Sequence, residues 1–272
     1  DTHYFNGRGG RVIPLYRNIA QLIPNVAPGL LPLLRGRLQI AIADDDLLAY
    51  IAGVCGHSGY THRFRGELTQ PGVRVPLTAS PSLWAEAVEV GRRVIWLHTF
   101  GEQFVDAGEG RPPRKLPGRP DVLHPIPGRP EQLPSRMEYR PLDKSLVIGW
   151  DEFGRIGPVS TGAAEYQISG MRVISHWFDY RKRDPAGRRG ASDLDAEHLR
   201  RWDNRMTEEL RTLIAVLEGC VSLEQRQADL LDHIVRGPVI STTELMEARV
   251  VPPPEALRRL PAHNDSLTLF DV

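Results

Sequence analysis

Apolar residues recur along this 272-residue chain in several distinct patterns, each predicting a different kind of element. Leu47, Leu48, Ile51 and Val54 follow at helical spacing. Asp44, Asp45 and Asp46 stand just before them, where the positive end of a helix dipole favours carboxylates. A second helix is expected near Tyr60 to Leu68, ending before Pro71 and Gly72. The third is the clearest. Ser80 caps it, Pro81 takes the first helical position, and Leu83, Trp84, Ala87, Val88, Gly91, Val94, Ile95 and His98 share one face. Glu86, Glu89, Arg92 and Arg93 fall on the other face, with Glu89 and Arg93 at ion-pairing spacing. His98, on the apolar face, reads as a hydrogen-bonded core histidine. Residues 1–105 are thus expected to be mainly helical.

Residues 106–136 break the pattern. Eight prolines and four glycines crowd these positions, and PGRP occurs twice, at 117–120 and 127–130. A long loop or linker is expected, regular structure is not, and a DNA-contacting arm is the other reading. From Met137 to Ile168 the signal turns to strands: Glu138 to Arg140 and Ser145 to Ile148 flank the turn PLDK, and Gly149, Gly154, Gly157 and Gly162 punctuate more. Gly170 to Arg181 is read as a helix, with Met171, Ile174, Trp177 and Phe178 as its apolar stripe and Arg172, His176, Asp179 and Arg183 opposite. Trp177 and Phe178 are taken as core. Two stripes then follow, Met206 to Leu217 and Leu223 to Ile234, which predict an antiparallel helical hairpin joined at Gly219 to Val221. Ser222 with Gln225 looks like a capping box. Residues 251–272 read as a tail. The expected class is α+β: a helical amino-terminal part, a small antiparallel β module after a proline-rich loop, and a carboxyl-terminal helical hairpin, with residues 137–250 holding the β module and the helices that follow it.

Composition narrows the class. Hydrophobic residues at 41% and charged residues at 25% suit a globular chain with a real core. The apolar stretch Ile19 to Leu34 is interrupted by Pro24, Pro28 and Pro32, so no transmembrane helix is expected, and no secretory signal pattern is seen. Two cysteines, Cys55 and Cys220, make a disulfide framework improbable and a reducing cytoplasm the default. Thirty-four basic residues balance thirty-four acidic ones; three of the basic residues are lysine and the other thirty-one arginine. Arginine is the better bidentate partner of phosphate and guanine edges, although a GC-rich genome gives the same bias. The opening at Asp1, without a methionine, reads as a piece of a longer polypeptide.

The chemistry that is missing says as much. No G-x-x-x-x-G-K-[ST] phosphate loop occurs, and no glycine fingerprint of a nucleotide or adenosylmethionine fold. Neither an Asn-Pro-Pro-aromatic run nor a Glu-x-Lys nuclease pair is present. His57 and His62 are five apart without the glutamate of a zinc-protease helix, so no metal site is expected. Ser160 in GPVSTG is one residue off the nucleophile-elbow spacing, and DEFG at 151–154 reads as a plain turn. What remains is a basic segment. Between Arg172 and Arg189 stand Arg172, Arg181, Lys182, Arg183, Arg188 and Arg189 against Asp179 and Asp184. Its cations, with His176 on the polar stripe, are candidate DNA contacts. Arg8 and Arg11, in and beside GRGG, join them as arginine–glycine loop chemistry. Cations that merely complement a helix end are the bland alternative.

Several ordered blocks also resemble one family: RVIPLYRN, SGYTHRFRGEL with RVPLT, WAEAVEVGRRVIWLHTFGEQF, EYQISGMRVISHWFDYR and LEGCVSLEQRQADLLDHIVRGPVIS. Together they are similar to the carboxyl-terminal specificity domain of type ISP restriction-modification enzymes over about residues 5–245. That resemblance implies a domain which reads a short asymmetric duplex DNA sequence and presents an adenine to a methyltransferase domain. Nuclease, ATP-driven motor and methyltransferase would lie upstream, with S-adenosylmethionine, ATP and Mg expected there and no cofactor in this chain. The implied partners are double-stranded DNA and the methyltransferase domain of the same or an adjacent polypeptide, with no membrane. A helical scaffold that docks on a methyltransferase without touching DNA is the rival reading; an independent hydrolase lacks an assembled triad.

Overall fold

A computed structural model describes residues 14–17, 23–69, 73–99, 116, 118–128, 133–149, 153–168, 170–182 and 201–254. The chain divides into two compact units, Asp1–Arg92 with Arg226–Val272, and Arg93–Gln225. The architecture is α+β, as the patterning implies.

In the first unit, α1 (Leu30–Leu38) buries Leu31, Leu34 and Leu38. Its Pro32 falls in the first turn, where the missing N–H has no intrahelical acceptor to lose. α2 (Asp44–Cys55) begins on the three aspartates, and the Ala43 N–H donates to the Asp46 carboxylate at 2.8 Å. The helix expected from Tyr60 to Leu68 is instead a short α3 (Ser58–Arg63) and a separate 3-10 turn, Glu67–Thr69. Gly66, a poor helix former, stands between them. α4 (Pro81–His98) carries Trp84, Ala87, Val90, Val94, Trp96 and Leu97 into the interior. Val88 and Ile95 are only partly buried, and His98 is exposed rather than a core group. The buried arc is wider than the predicted stripe because Trp96 and Leu97 pack, within the second unit, against Val216 and Cys220.

The predicted hairpin does not form. Asn204–Arg236 is one 33-residue helix, α7, capped where the Met206 N–H donates to Asp203 Oδ1 at 2.9 Å. Gly219 sits inside it because of a close approach: a Cβ there would lie 2.6 Å from Leu97 Cδ2. Ser222 caps nothing and donates back to the Gly219 carbonyl at 2.7 Å. A glycine that admits a neighbour thus looks, in sequence, like a glycine that ends a helix. α8 (Thr242–Glu247) follows, closed by a Ser241–Glu244 capping box.

The second unit holds a four-stranded antiparallel sheet in the order β1 (Asp121–His124), β4 (Gly154–Gly157), β3 (Ser145–Ile148), β2 (Met137–Arg140). β2 and β3 flank PLDK as predicted. β1 corrects the reading of 106–136 as free of regular structure. Pro120 and Pro125 bracket it, and it lies on the sheet edge, where missing donors are tolerated. Leu146, Ile148 and Ile156 pack with Ile174, Phe178, Trp202, Leu210 and Ile214 into one core. A four-residue α5 (Thr161–Ala164) follows β4. Ser160 caps it, accepting from the Ala163 N–H at 3.1 Å and donating to Glu218 Oε2 at 2.7 Å. A two-stranded ribbon comes next, β5 (Gln167–Ile168) with β6 (Met171–Arg172), then α6 (Val173–Arg181).

Candidate nucleic-acid interface

The basic segment is built on α6. Ile174 and Phe178 bury its inner face, so the register of its outer face is fixed by the core. Trp177 is half-buried against the same core, and its indole N–H donates to Glu209 Oε1 at 3.3 Å. Both aromatics are thus core groups, as expected. Arg172 is not on the helix stripe: it is the last residue of β6 and the position just before α6. Met171 likewise belongs to the ribbon. Met171 has helical spacing with Ile174 and Phe178, and Arg172 has it with His176 and Asp179, which hid the strand turn.

The four described candidates differ in what holds them. Arg172 is exposed, and its Nη2 lies 3.9 Å from Glu165 Oε1, a loose pair between two half-exposed side chains. His176, also exposed, meets Tyr180 edge-on with ring centroids 4.9 Å apart. Arg181 is 18% exposed in its side chain and donates to Glu209 Oε1 at 2.9 Å and to the Trp177 carbonyl at 3.2 Å. Its guanidinium stands over the Trp177 ring. Lys182 pairs with Asp179 at 2.7 Å on the surface. Arg172 and His176 therefore sit at the entry of α6, and Arg181 and Lys182 at its exit, about 13 Å apart for nine helical residues. Arg8, Arg11, Arg183, Arg188 and Arg189 lie outside the described residues, as do residues 106–115 and 255–272.

Sequence reading places Gln167 and Ile168 at the end of the strand region but misses their pairing across the ribbon with Arg172 and Met171. A glycine flanked by two short mixed segments was the available signal. The β2–β3 turn adds a second exposed feature, Leu142 at 99% exposure beside Lys144 with a left-handed φ of 48°.

Elsewhere the described residues offer little reactive chemistry. Burial pushes the Cys55 thiol up to about 12 and the Cys220 thiol up to about 11, so neither is an activated nucleophile at neutral pH. No three His, Cys, Asp or Glu among the described residues come together as a metal-binding set. No described helix is long and apolar enough to cross a membrane.

Comparison with known proteins gives a family and a likeness to a solved structure. The family model described as "Type ISP C-terminal specificity domain" matches residues 1–213. Among solved structures, a nuclease-deletion mutant of the Type ISP restriction-modification enzyme LlaGI, in complex with a DNA substrate mimic, aligns at 18% identity and a TM-score of 0.39. That alignment covers 71% of this chain and 14% of the other. Among curated proteins none matches.

Proposed function

Because this chain belongs to the family of type ISP C-terminal specificity domains, we propose that it recognises a short sequence in double-stranded DNA. In this role it supplies specificity, and catalysis belongs to other domains of the parent enzyme. Those domains would bind S-adenosylmethionine, ATP and Mg, methylate the selected adenine and carry out restriction. The partners of this chain are then duplex DNA and a methyltransferase domain. A cytoplasmic setting goes with that role, and free thiols at Cys55 and Cys220 are in keeping with it.

The family match over residues 1–213 carries the reading. The geometry supports it in one respect: Arg172 at the end of β6, His176 on α6 and Lys182 just past its end all present exposed or half-exposed side chains. Arg183, Arg188, Arg189, Arg8 and Arg11 extend the proposed phosphate-contacting set. Arg181, held by Trp177 and Glu209, serves chiefly to fix the end of α6.

The test is enrichment of bound sequences from a randomised duplex library by the purified chain, with titrations at several salt concentrations. The expected result is one enriched motif and a binding constant that falls linearly on a log–log salt plot. Absence of duplex binding at low salt would favour the scaffold reading instead.

A further inference from the structure

We propose that the β5–β6 ribbon is the base-reading element of this domain, with Gln167 and Arg172 as a specificity-determining pair facing the major groove; this rests on the DNA-reading function above. Antiparallel pairing sets Gln167 opposite Arg172 and Ile168 opposite Met171. Cross-strand partners share a face, so the ribbon has one polar and one apolar face. All four residues are exposed. A ribbon of two residues a side that buries neither face does nothing for the core. It is nevertheless held firmly at its base, where the Val173 N–H donates to the Tyr166 carbonyl at 3.0 Å and Tyr166 packs on the core.

The side chains on the polar face match base edges. A glutamine amide offers one donor and one acceptor, the complement of adenine N6 and N7. An arginine fork complements guanine O6 and N7. The major groove, about 12 Å wide, admits a two-stranded ribbon. Both groups are available. Among the described residues, Gln167 has no side-chain hydrogen bond, and the one ion pair of Arg172 is the 3.9 Å approach to Glu165. Exposed pairs at that distance are readily exchanged for a ligand. Arg181, by contrast, is committed to Trp177 and Glu209. Ile168 and Met171, 46% and 37% exposed on the opposite face, have no base-edge hydrogen-bonding chemistry and serve as controls.

The experiment compares motifs enriched from a randomised duplex library by the wild-type chain and by Gln167→Ala, Arg172→Ala and Ile168→Ala, each checked for an unchanged thermal midpoint. Wild type is expected to select a motif in which one adenine is lost with Gln167→Ala and one guanine with Arg172→Ala. Discrimination at that position falls by about 5- to 150-fold in each case. Ile168→Ala keeps the motif. Gln167→Glu keeps the shape of the side chain but accepts from cytosine N4, so the adenine preference moves to cytosine. Folded variants that select the wild-type motif would overturn the ribbon proposal while leaving DNA recognition intact. Relaxation by only one of the two alanine substitutions would overturn the pairing. A wild-type chain that enriches no motif would overturn the DNA-reading function itself, and the ribbon proposal with it.

Discussion

Arg181 lies over the indole of Trp177, its guanidinium carbon 4.3 Å from the ring centroid, and the same guanidinium bonds Glu209 on α7. The cation thus ties the end of α6 to a neighbouring helix across a partly buried contact. Arg181→Ala is expected to lower stability by about 1–2 kcal/mol through the lost cation–π contact and charged hydrogen bond. Denaturant unfolding measures this. A drop in duplex affinity with no drop in stability would show instead that Arg181 faces DNA.

Trp84 illustrates how much of the helical part is legible. It is 2% exposed and stacks on Tyr50 with ring centroids 4.3 Å apart. The Tyr50 hydroxyl in turn donates to the Pro76 carbonyl at 2.7 Å. Trp84→Ala is expected to cost about 3–5 kcal/mol, read as a lowered unfolding midpoint. An unchanged midpoint would mean that this helix face is not the core.

Periodicity identified α2, α4 and α6 because each buries an apolar face, although Leu48 of the α2 stripe is exposed and Ile51, Val88 and Ile95 are only partly buried. It identified β2 and β3 because PLDK is a strong turn between strand-forming residues. It failed where one local signal has two physical meanings. Gly219 was read as a break but admits Leu97 into a continuous helix. Asp121 to His124 was passed over because prolines surround it, yet an edge strand needs only one partner. At the candidate site, Arg172 was legible as a cation, whereas its pairing with Gln167 was hidden because Met171 also fits a helical stripe.

Gly53 on α2 and Gly91 on α4 make the closest approach of these two helices. A Cβ at Gly91 would collide with the Ala49 carbonyl and lie 2.8 Å from the Gly53 nitrogen. Backbone on both sides leaves no flexible side chain to move away. Gly91→Ala is therefore expected to destabilise by about 1–3 kcal/mol although alanine is the better helix former. A thermal midpoint equal to or above wild type would show that the helices can part without loss.

His57 gives the fold a pH dependence. Its Nε2–H donates to the Val54 carbonyl at 3.1 Å, and its Nδ1 is buried with no partner among the described residues. Burial disfavours the imidazolium and holds the pKa below its ordinary 6.5. Between the two values the unfolded chain binds a proton that the folded one refuses, so stability is present above the unfolded value and is lost as pH falls through it. Unfolding midpoints at about pH 7.5 and about pH 5.5 are expected to differ, and to differ less in His57→Gln. An equal drop in both chains would assign the effect to other groups.

The last expectation separates the two ends of α6. Lys182 reaches solvent beside Asp179, and an exposed pair of that kind is worth only about 0–1 kcal/mol, so it yields readily to a phosphate. Lys182→Ala is expected to weaken all duplexes alike and to flatten the log–log salt slope by about 0.9, the value of one released counterion. Arg172, paired with Gln167 on an exposed ribbon, has a different task. Its replacement by alanine is expected to cost about 1–3 kcal/mol on the enriched motif and far less on scrambled duplex. The discriminating measurement is a titration of both variants on both duplexes across a salt series. A uniform loss for Arg172→Ala, with a slope change like that of Lys182→Ala, would make Arg172 a phosphate contact and remove it from the base-reading pair. If neither variant changes affinity or slope, α6 is a solvated helix and the DNA contacts lie elsewhere, with residues 106–136 the first place to look.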